Sequence, residues 1–460
     1  MTASGVAASE GRPAIYARPL LWMLSLAYAC NFMDRSVVGT LAQPIKLDLL
    51  LTDSQLGLLQ GFAFVVLYCV AGLPLAWLSE RRNRITILSI CLVMWSGMTM
   101  VCGLAQNFVQ LLLFRVGVGV GEAGCNPCSH SMIADAFASG ERSRALSIYQ
   151  LGATVGTMLG AMSAGLLAEK FGWRAAFLVV GAPGIAVAGA IKLTVKEPTR
   201  VQSSPAPALA VPLSAVLRRL VNSRAIVHVV LGFSLASFAY AGIAGFNQPY
   251  FIRAFGLKYG QIGVIFGLSG GLASAACLLI TGRLTDRLTQ RSDRWHAFLP
   301  MIGLGFSLPC IAAAYAVGDW HVAIVWSFLG GFFMNWFIIP SLSVMHKLLG
   351  VRLVASGMAL ILLFQNFMGL GAGPYVTGLV IDAAGRRIYA AAGLGDFKAM
   401  CPGGVALHGA SLEAAQACHS ALTSATRLGL WSMVLILAWA ILHYALAARH
   451  LHRDTGAARV

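Results

Sequence analysis

Four charged residues lie inside long apolar stretches of this sequence, namely Asp34, Arg35, Arg115 and Glu122. Acids and arginines in such surroundings can pair with each other, bind an anionic group, or take up and release protons. Burial favours a neutral carboxyl group, whereas a nearby arginine favours the ionised form. A carboxylate balanced between these two effects can change its protonation when its access to water changes, which is the chemistry of a proton relay.

The spacing of these residues predicts one cluster. Asn31, Asp34 and Arg35 share one face of the first apolar segment, because positions i, i+3 and i+4 align on a helix. Arg115 and Glu122 share a face of the fourth segment but lie about 10 Å apart along its axis, too far to pair with each other. Counting from the helix ends places Asp34 and Arg35 at a depth between them. A charge at bilayer depth costs about 3 kcal/mol even on a lenient scale, so we expect all four to face the protein interior. A static, fully paired network that only fixes helix packing is the alternative.

The elements that position these charges are membrane-spanning helices. Of the 460 residues, 58% are hydrophobic and only 11% are charged, whereas a soluble protein has about 25% charged residues. Runs of about 20 apolar residues recur twelve times and predict twelve transmembrane helices. We therefore predict an all-α polytopic membrane protein of two six-helix bundles. The predicted segments are an N-terminal tail (1–18), a first bundle (19–195), a linker (196–222), a second bundle (223–447) with an external loop (383–425), and a C-terminal tail (448–460).

The net charge of +16 does not indicate nucleic-acid binding. Arg and Lys fall in short clusters between alternate apolar stretches, as the positive-inside rule predicts for cytoplasmic loops that contact anionic lipids. Both termini are therefore expected in the cytoplasm, in a multi-pass protein of a bacterial inner membrane. No cofactor or metal site is expected, because Cys125 and Cys128 have C-x-x-C spacing but lie inside a hydrophobic helix.

An internal repeat supports the division into two halves. Residues 78–81 (Leu-Ser-Glu-Arg), after the second apolar stretch, match residues 284–287 (Leu-Thr-Asp-Arg), after the eighth. The glycines at 156, 160 and 165 likewise match those at 369, 373 and 378. Parallel repeats of this kind are found in transporters whose halves rock about a central site. An acid and an arginine at a helix end can bond across to the other bundle, so we predict a cytoplasmic gate, with solvated loop charge as the alternative. The predicted gate residues are Glu80, Arg81, Arg84, Asp286 and Arg287.

The remaining candidate residues are polar or aromatic side chains that could line a central cavity. Those predicted to line it are Tyr28, Asn31, Asn126, Tyr240, Asn247, Gln248, Asn335, Gln365 and Asn366. Pro249 beside two of these predicts an interruption of the seventh helix, and the glycines before Pro374 predict bending of the eleventh. Cys401 and Cys418 share the long external loop, where they either form a disulfide or remain free thiols.

Several stretches resemble the major facilitator superfamily and, within it, the Spinster-like transporters. They include residues 31–35 (Asn-Phe-Met-Asp-Arg), 115–124 (Arg-Val-Gly-Val-Gly-Val-Gly-Glu-Ala-Gly), 172–177 and 369–374. The resemblance implies a substrate such as a lysophospholipid or a sphingolipid-like molecule. It also implies that Asp34 and Glu122 are proton sites, with Arg35 and Arg115 as charge partners or as ligands of an anionic head group. The first-half gate loop departs from the superfamily pattern at Ala76, Glu80 and Asn83, which weakens the expectation of two equal gates.

The buried acids in a duplicated twelve-helix frame, together with this resemblance, lead us to expect a proton-coupled secondary transporter of an amphiphilic or anionic organic molecule that works by alternating access. We expect a monomer whose partners are membrane lipids, protons and that substrate. An organic-anion symporter of the same superfamily is the alternative substrate class. A non-transporting membrane sensor on a transporter frame is a second alternative, although no appended soluble domain is evident. An enzyme is not expected, because the sequence has no paired catalytic motif.

Overall fold

The computed structural model of the chain describes residues 14–138, 140–200 and 212–457, and almost all of these residues are helical. Parts of the predicted N-terminal tail, linker and C-terminal tail lie outside the described residues. The first half comprises α1 (Ala14–Thr40), α2 (Ala42–Asp48), α3 (Asp53–Gln60), α4 (Phe62–Arg81), α5 (Arg84–Cys102), α6 (Phe108–Glu122), α7 (Cys125–Ala136) and α8 (Arg142–Thr194). The second half comprises α9 (Leu213–Asn222), α10 (Arg224–Phe255), α11 (Tyr259–Thr289), α12 (Trp295–Ala316), α13 (Trp320–Met334), a 3-10 turn (Asn335–Phe337), α14 (Ile338–Asn366), a π-helical segment (Phe367–Ala372), α15 (Gly373–Ala391), α16 (Phe397–Met400), a further 3-10 turn (Pro402–Gly404) and α17 (Leu412–Ala457).

The predicted twelve-helix membrane fold is confirmed. Ten segments of the described chain are long and apolar enough to cross a membrane. One of them is α8, which holds two crossings because Gly172 reverses the chain direction with a φ of 82°. Dividing α8 there and adding α1, whose apolar length is broken by Asp34 and Arg35, gives twelve crossings. The segment predicted as the external loop, 383–425, contains helix at both ends, because α15 continues to Ala391 and α17 begins at Leu412. Alanine-rich sequence at both positions favours helix beyond the apolar core.

Helix starts follow local capping signals in the sequence. Thr52 and Gln55 form a capping box at the start of α3, and Asn83 accepts the backbone N–H of Thr86 at the start of α5. Asp319 caps α13 by accepting two backbone N–H groups. Such side chains satisfy backbone donors that have no partner inside the helix. They fix where each crossing begins and therefore the depth of the charges that it carries.

The helix bundle has two ends, defined here by their residues. The linker end holds Arg84 and α9, and the disulfide end holds Lys46 and Cys401. The chain runs from the linker end to the disulfide end in α1 and returns in α3 and α4. Each later crossing alternates in the same way.

The matching glycines of the two halves allow the same close helix packing in each half. A Cβ at Gly156 would lie 2.1 Å from the carbonyl oxygen of Ala29 in α1, and one at Gly373 would lie 2.4 Å from that of Phe238 in α10. Glycine therefore lets the fifth crossing pack against the first, and the eleventh against the seventh, at backbone contact. The predicted internal repeat thus corresponds to equivalent packing in both halves.

The two halves contact each other closely toward the disulfide end. A Cβ at Gly57 would lie 2.2 Å from the carbonyl oxygen of Pro374, and one at Gly378 would lie 2.2 Å from that of Asp53. On the other side of the bundle, Gly165 packs against Tyr259 and Gly263 in the same manner. Approaches this close cannot accommodate a side chain. The conformation is therefore one in which the disulfide end is closed.

Candidate functional site

The four deep charges lie together, but only one ion pair forms among them. Arg35 Nε lies 2.6 Å from Glu122 Oε2. Asp34 and Arg115 are 1% and 2% exposed, and within the described residues neither has an ion-pair partner inside 4.0 Å. Thr99 and Trp95 of α5 and the positive charge of Arg115 act on the carboxylate of Asp34. The structure therefore differs from a fully paired network.

Several polar atoms of this cluster are buried without a hydrogen-bond partner in the described protein. They are Asn31 Nδ2, Asp34 Oδ2, Glu122 Oε1, and Nε and Nη1 of Arg115. Leaving one buried polar group unpaired costs about 1–3 kcal/mol, and more for a charged group. Such a concentration of unsatisfied groups is typical of a functional site and is not expected of a purely structural network.

The glycines of α6 position these charges. A Cβ at Gly119 would lie 2.6 Å from the carbonyl oxygen of Phe64 in α4, and one at Gly121 would lie 2.7 Å from Trp95. The close approach of α4 places the Phe64 ring between the two arginines, 4.5 Å from Arg35 and 5.9 Å from Arg115. Cation–π contact of this kind stabilises a desolvated guanidinium. The spacing of glycine and charge in α6 is therefore what assembles the cluster.

An aromatic and amide chain extends from the cluster toward the linker end. Tyr149 donates a hydrogen bond to Asn126 Oδ1 at 3.1 Å, and Asn126 Nδ2 donates to the hydroxyl of Tyr68 at 3.4 Å. The ring of Tyr28 stacks on that of Tyr149 with centroids 4.3 Å apart. The structure thus links Tyr28 and Asn126 through Tyr149, whereas the lining of a central cavity by these residues and Asn31 stays a prediction. Tyr68 and Tyr149 were missed, because tyrosines on apolar helices look like ordinary packing residues in sequence.

The second half contributes a cavity of about 200 Å³. Four predicted cavity residues line it, namely Tyr240, Asn247, Gln248 and Asn335. Asn247 Nδ2 donates to Ser327 at 3.0 Å, and its Oδ1 accepts from the hydroxyl of Tyr315 at 3.1 Å. No charged side chain lines this cavity, all of whose lining residues belong to the described chain.

Two further cavity predictions lie elsewhere. Gln365 and Asn366 are half-buried at the end of α14, and they are not among the residues that line the second-half cavity. The π-helical segment Phe367–Ala372 follows directly. The eleventh crossing therefore departs from regular α-helix at the glycine-rich stretch where bending was predicted.

The predicted interruption of the seventh helix is wrong. Helix α10 runs from Arg224 to Phe255 through Pro249. A proline leaves the carbonyl four residues earlier without its helical partner, which here is that of Gly245. Gln60 of the first half donates to this oxygen at 3.3 Å. The helix stays continuous because a side chain of the other half satisfies the carbonyl.

A second buried charge network joins the two halves at the disulfide end. Asp53 of the first half accepts from Lys46, and its Oδ1 lies 2.6 Å from Arg253 Nη2 of the second half. The three side chains are at most 2% exposed. Arg253 also donates to Gln43 and to Thr426, at 2.8 Å each. We call these residues, with Asp382, the disulfide-end network.

Asp382 completes this network from the eleventh crossing. Its two carboxylate oxygens accept the backbone N–H groups of Asp53 and Ser54, each at 2.9 Å, so a second-half residue caps a first-half helix. Burial lowers the pKa of Lys46 to about 8, although the neighbouring Asp53 acts in the opposite direction. Sequence reasoning missed this network, because its members lie at helix ends and resemble solvated loop charges.

The predicted gate residues at the linker end do not bridge the halves in this conformation. Arg84 is buried and pairs with Asp135 of the first half at 2.5 Å and with Glu197 of the following linker segment at 2.9 Å. It therefore fixes first-half helices here. Glu80, Arg81, Asp286 and Arg287 are exposed, and the guanidinium of Arg81 stacks 3.9 Å from the ring of Trp77. Their gating role stays a prediction for a conformation in which the linker end is closed.

Cys401 and Cys418 are joined by a disulfide in the structure. It connects the short segment after α16 to the first turns of α17. Tyr389 and Ala421 pack around it, so the bond lies in a small apolar cluster of its own.

Comparison with known proteins agrees with this architecture. The Major Facilitator Superfamily profile matches residues 24–373. An MFS-type efflux pump of Mycolicibacterium smegmatis is 31% identical over 361 residues, which cover 78% of this chain and 83% of that protein. The sphingosine-1-phosphate transporter SPNS2 of Danio rerio is 27% identical over 422 residues, covering 84% of this chain and 81% of that protein.

A solved structure shows the same fold over nearly the whole length. The crystal structure of a bacterial homolog of the human lysosomal transporter Spinster, in an inward-facing and unoccupied conformation, superposes with a TM-score of 0.87 at 30% identity. The alignment covers 96% of this chain and 99% of that one. Taken with the twelve crossings and the duplicated halves, these matches show that the chain is a Spinster-like membrane transporter that belongs to the major facilitator superfamily.

Proposed function

We propose that this transporter couples proton movement to the transport of an amphiphilic anion, such as a lysophospholipid or a sphingolipid-like molecule, by alternating access. The observation that carries the proposal is the incompletely paired cluster of Asp34, Arg35, Arg115 and Glu122. Its members have net charge zero when all are ionised, yet only one ion pair forms. The cluster thus has unused capacity for a proton or an anionic group.

Asp34 and Glu122 differ in the ways that two proton sites require. Glu122 is held by Arg35, whereas Asp34 has no cation within ion-pair distance among the described residues. A buried carboxylate without a direct partner responds strongly to nearby charge and to water access. Each acid also has one oxygen without a hydrogen-bond partner, which is an acceptor available to a proton or to water.

An amphiphilic substrate matches the chemistry of the two halves. Arg35 is the most accessible member of the cluster, with 26% of its side chain exposed, and can meet an anionic head group. The second-half cavity offers amide, hydroxyl and aromatic groups without charge. A substrate with one charged end and a larger uncharged part would satisfy both surfaces. Sphingosine 1-phosphate, the substrate named for the Danio rerio relative, is of this kind.

The orientation follows from the distribution of basic residues. Arg81, Arg82, Arg142, Arg287 and Arg291 all lie at the linker end. The positive-inside rule assigns this end to the cytoplasm, so the conformation is closed to the outside. Both termini would then be cytoplasmic, and we propose separately that the protein is a monomer in a bacterial inner membrane.

Reconstitution into liposomes tests the coupling. Substrate added to wild-type vesicles should drive a proton flux, measured with an internal pH dye. Asp34→Asn and Glu122→Gln should each reduce this flux at least tenfold. Asp396→Asn, which removes an exposed carboxylate that only caps a short helix, should leave the flux unchanged. Normal flux in both cluster variants would refute the coupling.

Two further measurements separate the alternatives. Counterflow of a labelled lysolipid requires transport, so binding without counterflow would indicate a sensor. A thermal-shift comparison of lysolipids with small organic acids tests the substrate class. Stabilisation by hydrophilic acids alone would favour an organic-anion symporter over the amphiphile proposed here.

A further inference from the structure

An apolar groove of about 710 Å³ lies on the outside of the helix bundle, apart from the central cluster and the second-half cavity. It lies between α4 of the first half and α10 and α14 of the second, and α9 crosses its linker end. Its walls include Val66, Val70, Val227 and Phe364. The volume falls within the range of about 300–1,000 Å³ that is typical of small-molecule sites.

Helix α9 gives this groove an amphipathic rim. Leu217 and Val221 of α9 line the groove, and both are exposed, at 47% and 70%. Arg219 on the same helix donates to the carbonyl oxygen of Leu348 at 2.9 Å, which anchors α9 to α14 just before the break in that helix at Gly350. A short helix with one apolar and one basic face lies at the membrane interface. The groove therefore begins at head-group depth and continues into the acyl region.

Two arginines that neighbour groove-lining residues in sequence have no ion-pair partner among the described residues. Arg218 lies on α9, and Arg224 is the first residue of α10; both are exposed. The groove itself is lined by aliphatic and aromatic side chains together with one cysteine, Cys69. An occupant with an uncharged or cationic head group would gain nothing from the arginines. One with an anionic head and acyl chains complements both parts.

We propose that this groove binds one anionic diacyl phospholipid. The phosphate of the lipid lies at Arg218 and Arg224, and an acyl chain lies between α4, α10 and α14. The site is separate from the transported substrate's path, because none of the cluster or cavity residues lines it.

The bound lipid would also favour one conformation. The groove has walls from both halves, so its shape depends on the relative position of the halves. A ligand that binds one conformation better shifts the population toward it. The lipid therefore stabilises the state described here, in which the disulfide end is closed.

Native mass spectrometry of the full-length protein tests the proposal. Purified protein is titrated with phosphatidylglycerol or with phosphatidylcholine of the same acyl chains. We expect one phosphatidylglycerol to bind saturably and phosphatidylcholine to bind much more weakly. Arg218→Gln together with Arg224→Gln should weaken binding about 25-fold, since each basic residue at an anionic lipid surface contributes about a fivefold factor. Arg291→Gln with Arg294→Gln, two exposed arginines in another linker-end loop, is the matched control and should change nothing.

A second variant tests the acyl part of the site without altering charge. Val227→Trp fills the groove from a lipid-facing position and should abolish saturable binding while leaving the thermal stability in detergent near that of the wild type. Equal binding of the two lipids, or no effect of either variant, would mean nonspecific lipid contact and overturn the proposal. Three other outcomes would assign the groove to a different occupant and would also overturn the proposal. They are displacement of the phospholipid by a transported amphiphile, equal binding of glycerol phosphate without acyl chains, and a dimer that Val227→Trp dissociates.

Discussion

Replacing Asp53 by asparagine is expected to open the disulfide end of the molecule. The Asp53 carboxylate contacts Lys46 of its own half and Arg253 of the other half, and all three side chains are buried. Asparagine keeps the size of the side chain but removes its charge. Two buried cations then face each other, with Asp382 as the remaining carboxylate beside them.

The magnitude follows from the burial of the network. Removing one partner of a buried ion pair costs about 3–5 kcal/mol. Two unit charges about 4 Å apart interact by about 4 kcal/mol at an effective dielectric constant of 20, which agrees with that range. The cost falls mainly on the closed state, because water solvates both cations once the halves separate. A difference of about 4 kcal/mol changes the ratio of closed to open molecules by about a thousandfold.

Distances between spin labels measure this change directly. Labels attached through Leu104→Cys and Gly318→Cys lie in exposed loops at the disulfide end of the first and second half. Pulsed electron resonance should give a short distance when Asp53 is kept and the eight native free cysteines are replaced by alanine. The Asp53→Asn variant should show a longer distance as its main population.

The matched control is Asp48→Asn. Asp48 pairs with Arg174 at 2.5 Å at the same end of the molecule, but both belong to the first half and are 44% and 41% exposed. Such a surface pair contributes at most about 1 kcal/mol and does not join the halves. An unchanged distance in Asp53→Asn, or the same change in Asp48→Asn, would refute the assignment of the disulfide-end network to closure.

Three further predictions concern packing, the disulfide and pH. The substitution Gly156→Ala should lower the melting temperature by several degrees, because the new Cβ would lie 2.1 Å from the backbone of α1. Its control, Gly189→Ala, should leave the melting temperature unchanged, because nothing lies within 4 Å of that position. Cys401→Ser should cost about 3 kcal/mol of stability through the loss of a short closed loop, and peptide mapping without reductant should recover Cys401 and Cys418 in one linked peptide. Raising the pH from 7 to 9 should favour closure of the disulfide end. The reason is that Lys46 binds its proton less tightly in the closed network, at a pKa of about 8, than a solvated lysine does, at about 10.4. The substitution Lys46→Met should remove this pH response of the spin-label distance.

Residue spacing was sufficient to predict the central cluster but not its pairing. The rise per residue placed Arg35 close to Glu122, and the structure joins them at 2.6 Å. The contact of the Phe64 ring with both Arg35 and Arg115 could not be foreseen, because it depends on α4 approaching α6 at Gly119. A glycine in sequence shows that a close approach is allowed. It does not show which helix approaches.

Contacts between the halves were the least accessible to sequence reasoning. Asp53 and Arg253 are separated by 200 positions, and each lies near a helix end, where charge is usually solvated. The same applies to Gln60 and Gly245, whose hydrogen bond keeps α10 continuous through Pro249. Both contacts exist in only one arrangement of the halves. A single sequence records the residues but not the conformation in which they meet.

In the proposed alternating-access mechanism, the two charge networks have different roles. The central cluster lies wholly within the first half, so the Arg35–Glu122 pair survives any rigid rotation of one half against the other. The disulfide-end network crosses between the halves and must break when that end opens. In the proposed mechanism, a proton at Asp34 can influence opening through α1, which continues into α2 and Lys46. It can also act through α4, whose Phe64 ring contacts Arg35 and whose chain leads back to Asp53, or through a substrate that touches both halves. Both covalent routes are short, with Asp34 and Lys46 separated by 12 positions and Phe64 and Asp53 by 11, so either segment of the first half can link protonation to closure.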